Sequence, residues 1–142
     1  MLEALIDLTE AQIATVIARA ANIDAQALGL VGFDAALLAT DVAAQQLLGH
    51  LWWIPLPGLA MSIVIGSSVM AVTRFDIGPS PSSFYARHAT TPHDEALVRL
   101  LSDLLASQRH NAQPLSLKTE RLVLGLTVLL FTILYSVLAI AS

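Results

Sequence analysis

Hydrophobic and polar positions divide this chain into long apolar runs separated by short polar stretches. The clearest run is Leu122 to Ala141, LVLGLTVLLFTILYSVLAIA, which carries no charge and no proline. At about 1.5 Å per residue it reaches roughly 30 Å, the thickness of a bilayer's hydrocarbon core. It is expected to be a transmembrane helix. A second run, residues 52–73, reads WWIPLPGLAMSIVIGSSVMAVT and ends at Arg74. Trp52 and Trp53 stand where an interfacial aromatic belt would put them, and Pro55 and Pro57 fall near its start, where a missing N–H does least harm. A third run, residues 25–48, is long enough to cross but contains Asp34, Asp41, Gln45 and Gln46. Each mid-helix Asp costs about 2.5 to 3.5 kcal/mol on insertion, so this span is marginal and needs neighbours. Only Gly49-His50-Leu51 separates it from the next span, which predicts a tight antiparallel hairpin.

The remaining segments carry helix signals of another kind. In residues 1–21, Ile13, Val16, Ile17 and Ala20 recur at helical spacing, and Thr9-Glu10-Ala11-Gln12 matches a capping box. This predicts a separate amphipathic helix. Residues 75–91 contain Gly78, Pro79 and Pro81 and read as a loop. Thr91 followed by Pro92 and Asp94 marks a helix start, with Leu97, Leu101, Leu104 and Leu105 on one face. Pro114 is expected to kink or interrupt that helix before the last span. The expected fold is therefore an all-α membrane protein: one domain over residues 1–142, with an N-terminal amphipathic helix, three spans and a cytosolic helix between the second and third spans.

Composition supports the membrane class. Of 142 residues, 56% are apolar and 13% charged, well below the quarter or so found in soluble domains. The formal charge of -4 is dispersed, which argues against nucleic acid as a partner. With no Cys there are no disulfides, thiolate metal sites or Cys nucleophile. The opening residues, with Glu3 and Asp7, lack a basic n-region, so a cleaved signal peptide is not indicated. Six of the seven cations, Arg74, Arg87, Arg99, Arg109, Lys118 and Arg121, lie between the second and third spans. Three crossings put them on the same side as Arg19. The positive-inside rule makes that side the cytoplasm of an inner-membrane protein, leaving the C-terminus extracytoplasmic.

The candidate chemistry is a polar stripe. Steps of seven and eleven residues place Asp34, Asp41 and Gln45 within about 40° on one helix face. A carboxylate at that depth must face protein, water or a cation, or else take up a proton. The stripe could line a pore or interface; an interhelical hydrogen-bond network that conducts nothing is the alternative. Gly58, Ser62 and Gly66 recur at every fourth position and suit close helix packing, within one protomer or between several. His50, His88, His93 and His110 show no ligand spacing, and no GxSxG or P-loop occurs. No metal, cofactor or enzymatic activity is expected.

Three stretches resemble the Pycsar-type transmembrane effector domain and its SLATT-like relatives, small bacterial membrane modules of anti-phage nucleotide signalling. Asp24-Ala25-Gln26-Ala27 followed by Leu30-Val31-Gly32-Phe33 is similar to the family's Asp-x-Lys-Ala turn and apolar cluster, with Gln26 in place of Lys. Pro81 to Tyr85 with Glu95-Ala96, and Asn111 with Lys118 seven residues on, are similar to two further family features. The resemblance covers roughly residues 20–140. It implies a homo-oligomer that perturbs or permeabilises the inner membrane on a trigger, with any sensing supplied by a separate cytosolic protein or by the cytosolic helix. A passive anchor or assembly subunit for a cytosolic partner is the competing expectation.

Overall fold

The computed structural model describes residues 2–44, 53–72 and 75–141, leaving aside the side chains of Pro81, Tyr85 and residues 139–141. It is all-helical over these residues: α1 (Leu2–Ala43), α2 (Leu56–Met70), α3 (Pro81–His88) and α4 (His93–Ala141). Two of the helices, α1 and α4, are long and apolar enough to cross a membrane. α2 is apolar but has 15 residues, about 22 Å of helix. The 52–73 span is thus described as a shorter helix, and three full spans are not shown. The physical reason is local. Pro55 and Pro57 cannot donate backbone hydrogen bonds, so regular helix starts at Leu56 with Pro55 as its cap. At the other end Ala71 N–H turns back to Val69 O.

Several expected boundaries are corrected. The amphipathic helix 1–21 and the span 25–48 are one continuous helix as far as Ala43. Thr9 therefore caps nothing: its Oγ1 donates to Leu5 O at 2.7 Å, one turn back. The 75–91 loop contains α3, whose start is set by Ser80, with an extended backbone and a hydroxyl accepting from Ser83 N at 3.3 Å, followed by Pro81 in the first turn. α4 begins at His93, where Pro92 O accepts from Ala96 N. It runs through Pro114 without a break. Residues 45–52, including Gln45, Trp52 and the Gly49-His50-Leu51 link, and Arg74 lie outside the described residues.

The chain divides into two compact units, and α1 and α4 contribute to both. Unit 1 comprises Met1–Ala20 and Arg74–Ser116, around buried Ile6, Ile13 and Leu104 with Ile17, Leu97, Leu100 and Leu101 against them. Unit 2 comprises Ala21–Thr73 and Leu117–Ser142, around buried Ala27, Leu30, Leu59, Val69, Leu122 and Leu129. Burial on both long helices recurs every seven residues: Ile6, Ile13, Ala20, Ala27, Asp34 and Asp41 on α1, and Leu97, Leu104, Asn111, Lys118, Gly125 and Thr132 on α4 are buried or half-buried. A seven-residue repeat keeps one narrow stripe against neighbouring helices. In unit 2 the outward stripe of α4 exposes Val123, Leu124, Leu130, Phe131, Leu134 and Leu138. Exposed apolar surface of this kind marks a face that meets a membrane or another protein.

Candidate functional site

The site in unit 2 is built where small residues let three helices approach. A side-chain carbon added at Gly66 of α2 would sit 2.9 Å from Val31 Cγ2 and 3.7 Å from Ala27 O on α1. At Gly58 it would collide with the Thr132 side chain on α4, and at Gly125 of α4 it would come within 2.9 Å of Leu30 Cδ2. Ser62 is fully buried, and its Oγ donates to Gly125 O at 3.2 Å. The stripe Gly58, Ser62 and Gly66 thus serves packing inside one chain. Gly125, on the partner helix, completes it.

Asp34 lies in this layer. Its exposure is 0%, and neither carboxylate oxygen has a hydrogen-bond partner among the described residues. Ser62 is the polar side chain beside it. Leaving a carboxyl so placed without a partner costs free energy, because desolvation is uncompensated. Asp41, seven residues on, is only half-buried. Asp34 and Asp41 occupy equivalent positions in the burial repeat, but only Asp34 is sealed inside the chain; Gln45 lies outside the described residues.

A second polar layer holds the three helices ten residues earlier on α1. Lys118 Nζ on α4 donates to Asp24 Oδ1 on α1 at 2.5 Å. Arg121 Nη1 donates to Ser68 O, in the last turn of α2, at 2.9 Å. A cation at a helix C-terminus satisfies an orphan carbonyl and complements the helix dipole.

Unit 1 contains its own polar cluster. Asn111 is fully buried; its Oδ1 accepts from Asp76 N at 2.7 Å and its Nδ2 donates to Asp76 O at 2.6 Å. The Asp76 carboxylate accepts from Gly78 N at 2.9 Å and from Ser107 Oγ at 3.0 Å. Gly78 has φ +91°, a conformation that favours glycine. Asp76, Gly78, Pro79, Arg87, Asp103, Ala106 and Ser107 line a shallow cleft of about 350 Å³. His88 packs against Phe84 with the rings tilted by 47° and their centroids 4.7 Å apart.

Of the residues that carry the family resemblance, Asp24 and Lys118 pair, Asn111 clamps the Asp76 backbone and Ala27 is fully buried, while Phe33 is exposed. Among the described residues no group of three or more His, Asp or Glu is placed to hold a metal ion. Gly125, Arg121 and Asp76 were not apparent from spacing within one helix, because each acts on a different element. Compared with known proteins, the chain matches no family model, no curated protein and no solved structure.

Proposed function

We propose that this chain is a small integral membrane protein of the bacterial inner membrane that oligomerises and permeabilises the bilayer on a trigger, as an anti-phage effector does. Three crossings, over about 25–48, 52–73 and 122–141, put the N-terminus and residues 74–121 in the cytoplasm and the C-terminus outside. The observation that carries the reading is Asp34, a buried carboxyl with no hydrogen-bond partner among the described residues, held inside an apolar helix cluster. A group of this kind inside a membrane segment marks a functional position by default. It makes the closed packing costly, so a rearrangement that wets Asp34 recovers its hydration. Unit 1, with its polar cleft, is the part available to a cytosolic sensor protein.

The test uses cells loaded with a potential-sensitive dye. Wild type, once triggered or overexpressed, depolarises the membrane, and Asp34→Leu combined with Asp41→Leu does not. Unchanged polarisation with the wild type removes the proposal.

One observation favours a second reading, a passive anchor for a cytosolic partner. Gly58, Ser62 and Gly66 are all consumed by contacts within the chain, which leaves that stripe nothing to offer a second copy. Under this reading the chain purifies from detergent as a monomer bound to a partner protein. A defined homo-oligomer without a partner counts against it.

A further inference from the structure

We infer that Arg121 is a lipid headgroup site: its guanidinium, held at the end of α2, binds the phosphate of an anionic phospholipid in the cytoplasmic leaflet.

The charges of unit 2 carry the argument. Its described residues hold two cations, Lys118 and Arg121, and four carboxylates, Asp24, Asp34, Asp41 and Glu120. Lys118 takes Asp24. Asp34 and Asp41 lie farther along α1, about 15 and 25 Å of helix beyond Asp24. Glu120 is exposed and turned about 100° around α4 from Arg121. The ion pairs among the described residues are Lys118–Asp24 and Arg99–Glu95, and those residues include every acidic side chain of the chain. Arg121 therefore has no carboxylate as counter-charge.

Its position is nonetheless fixed. The side chain is half-buried, and Nη1 donates to Ser68 O at 2.9 Å in the last turn of α2. A guanidinium carries five N–H donors in a rigid planar fork, and this bond uses one of them. The free donors match a phosphate, which accepts two parallel N–H bonds and supplies the missing negative charge. Location names the source of that phosphate. Arg121 is the last charged residue before the twenty uncharged positions Leu122 to Ala141, so it stands where hydrocarbon gives way to headgroups. The cytoplasmic leaflet is the anionic one. Lys118, one turn earlier, is 1% exposed and already paired, which leaves Arg121 as the cation of this layer open to a lipid. This deepens the membrane reading above and rests on its topology.

The experiment reconstitutes the full chain in phosphatidylcholine bilayers. Electron spin resonance then measures how much spin-labelled phosphatidylglycerol, and how much spin-labelled phosphatidylcholine, the protein holds motionally restricted. The wild type prefers phosphatidylglycerol about fivefold, the effect of one cation at a membrane surface. Arg121→Gln keeps a donor for Ser68 O but removes the charge, and abolishes the preference. Arg109→Gln, at an exposed cation of unit 1, leaves it unchanged. Should Arg121→Gln fail to reconstitute, Arg121→Lys decides: it keeps the charge without the fork and weakens the preference, and a ratio equal to wild type overturns the site. A preference that survives Arg121→Gln, or falls as far in Arg109→Gln, overturns it in favour of diffuse attraction. Loss of the preference when inorganic phosphate is added at constant ionic strength overturns it in favour of a soluble phosphate. Equal restriction of the two lipids by the wild type sinks this site alone, whereas no restricted lipid of either kind sinks the membrane reading beneath it.

Discussion

Lys118 and Asp24 form an ion pair whose two ends differ sharply in exposure: the lysine side chain is 1% exposed and the aspartate 39%. The ammonium is the end that has lost its water, so the aspartate matters mainly as its counter-charge. Asp24→Ala is expected to destabilise the folded chain by about 1 to 3 kcal/mol, because a buried charge loses a partner. Replacing both residues, Asp24→Leu with Lys118→Met, is expected to recover most of that loss. Thermal unfolding in detergent measures both. If the double variant is as unstable as the single one, charge compensation is not the role of the pair.

The glycines divide by what surrounds them. Gly66→Leu must displace Val31 and the Ala27 backbone, and is expected to cost more than about 2 kcal/mol through overpacking. Gly29 and Gly32 on α1 have nothing within 4 Å of an added carbon. Gly29→Ala is expected to stabilise the helix by up to about 1 kcal/mol, the difference in helix propensity. The same unfolding experiment checks the opposite signs.

Asn111 makes two hydrogen bonds to the backbone of a single residue, Asp76, from a fully buried position. Asn111→Ala leaves the Asp76 N–H and C=O without these partners, at a cost of about 2 to 3 kcal/mol. Asn111→Asp keeps the acceptor but loses the donor and is expected to be no better. Faster proteolysis within residues 75–80 reports the loss, since Asn111 ties that segment to α4. Unchanged cleavage would show that Asn111 does not hold the segment.

Arg99 and Glu95 pair at 2.6 Å one turn apart, with about half of each side chain exposed. Solvent screens such a pair, so Arg99→Ala is expected to change stability by less than about 0.5 kcal/mol. This small effect is the control for Asp24→Ala: similar losses in the two variants would mean that burial of Lys118 adds nothing.

Pro114 interrupts the backbone ladder of α4 by lacking an N–H for His110 O. Pro114→Ala restores that bond and is expected to raise the melting temperature of the full chain. A fall would mean that the proline ring's own packing outweighs the missing bond.

How much of this was legible varies from element to element. The 122–141 run declares its helix by composition alone, since twenty uncharged residues without proline have few other ways to satisfy their backbone in lipid. The α3 helix was legible too, in Ser80 followed by Pro81, but Gly78 and Pro79 just before it weighed the segment toward loop. The Thr9 capping box was misleading. Its side chains fit a helix start, yet the preceding residues are themselves good helix formers and packing of Ile6 extends the helix back through them. Pro114 does not interrupt the helix, for a related reason: about 3 kcal/mol of local cost is small against a 49-residue helix anchored by contacts on both sides of it.

Sequence alone determined that the chain is helical, that its polar residues recur on defined helix faces, and that Asp34 and Asp41 share one of them, because those facts follow from residue type and helical period. Tertiary structure decided which of the two aspartates is sealed off, that Ser62 meets Gly125 O, and that Lys118 meets Asp24 across 94 positions of chain. Each of these depends on how closely separate helices approach. That distance is set by where glycines on different helices come opposite one another, and spacing along a single helix does not contain it.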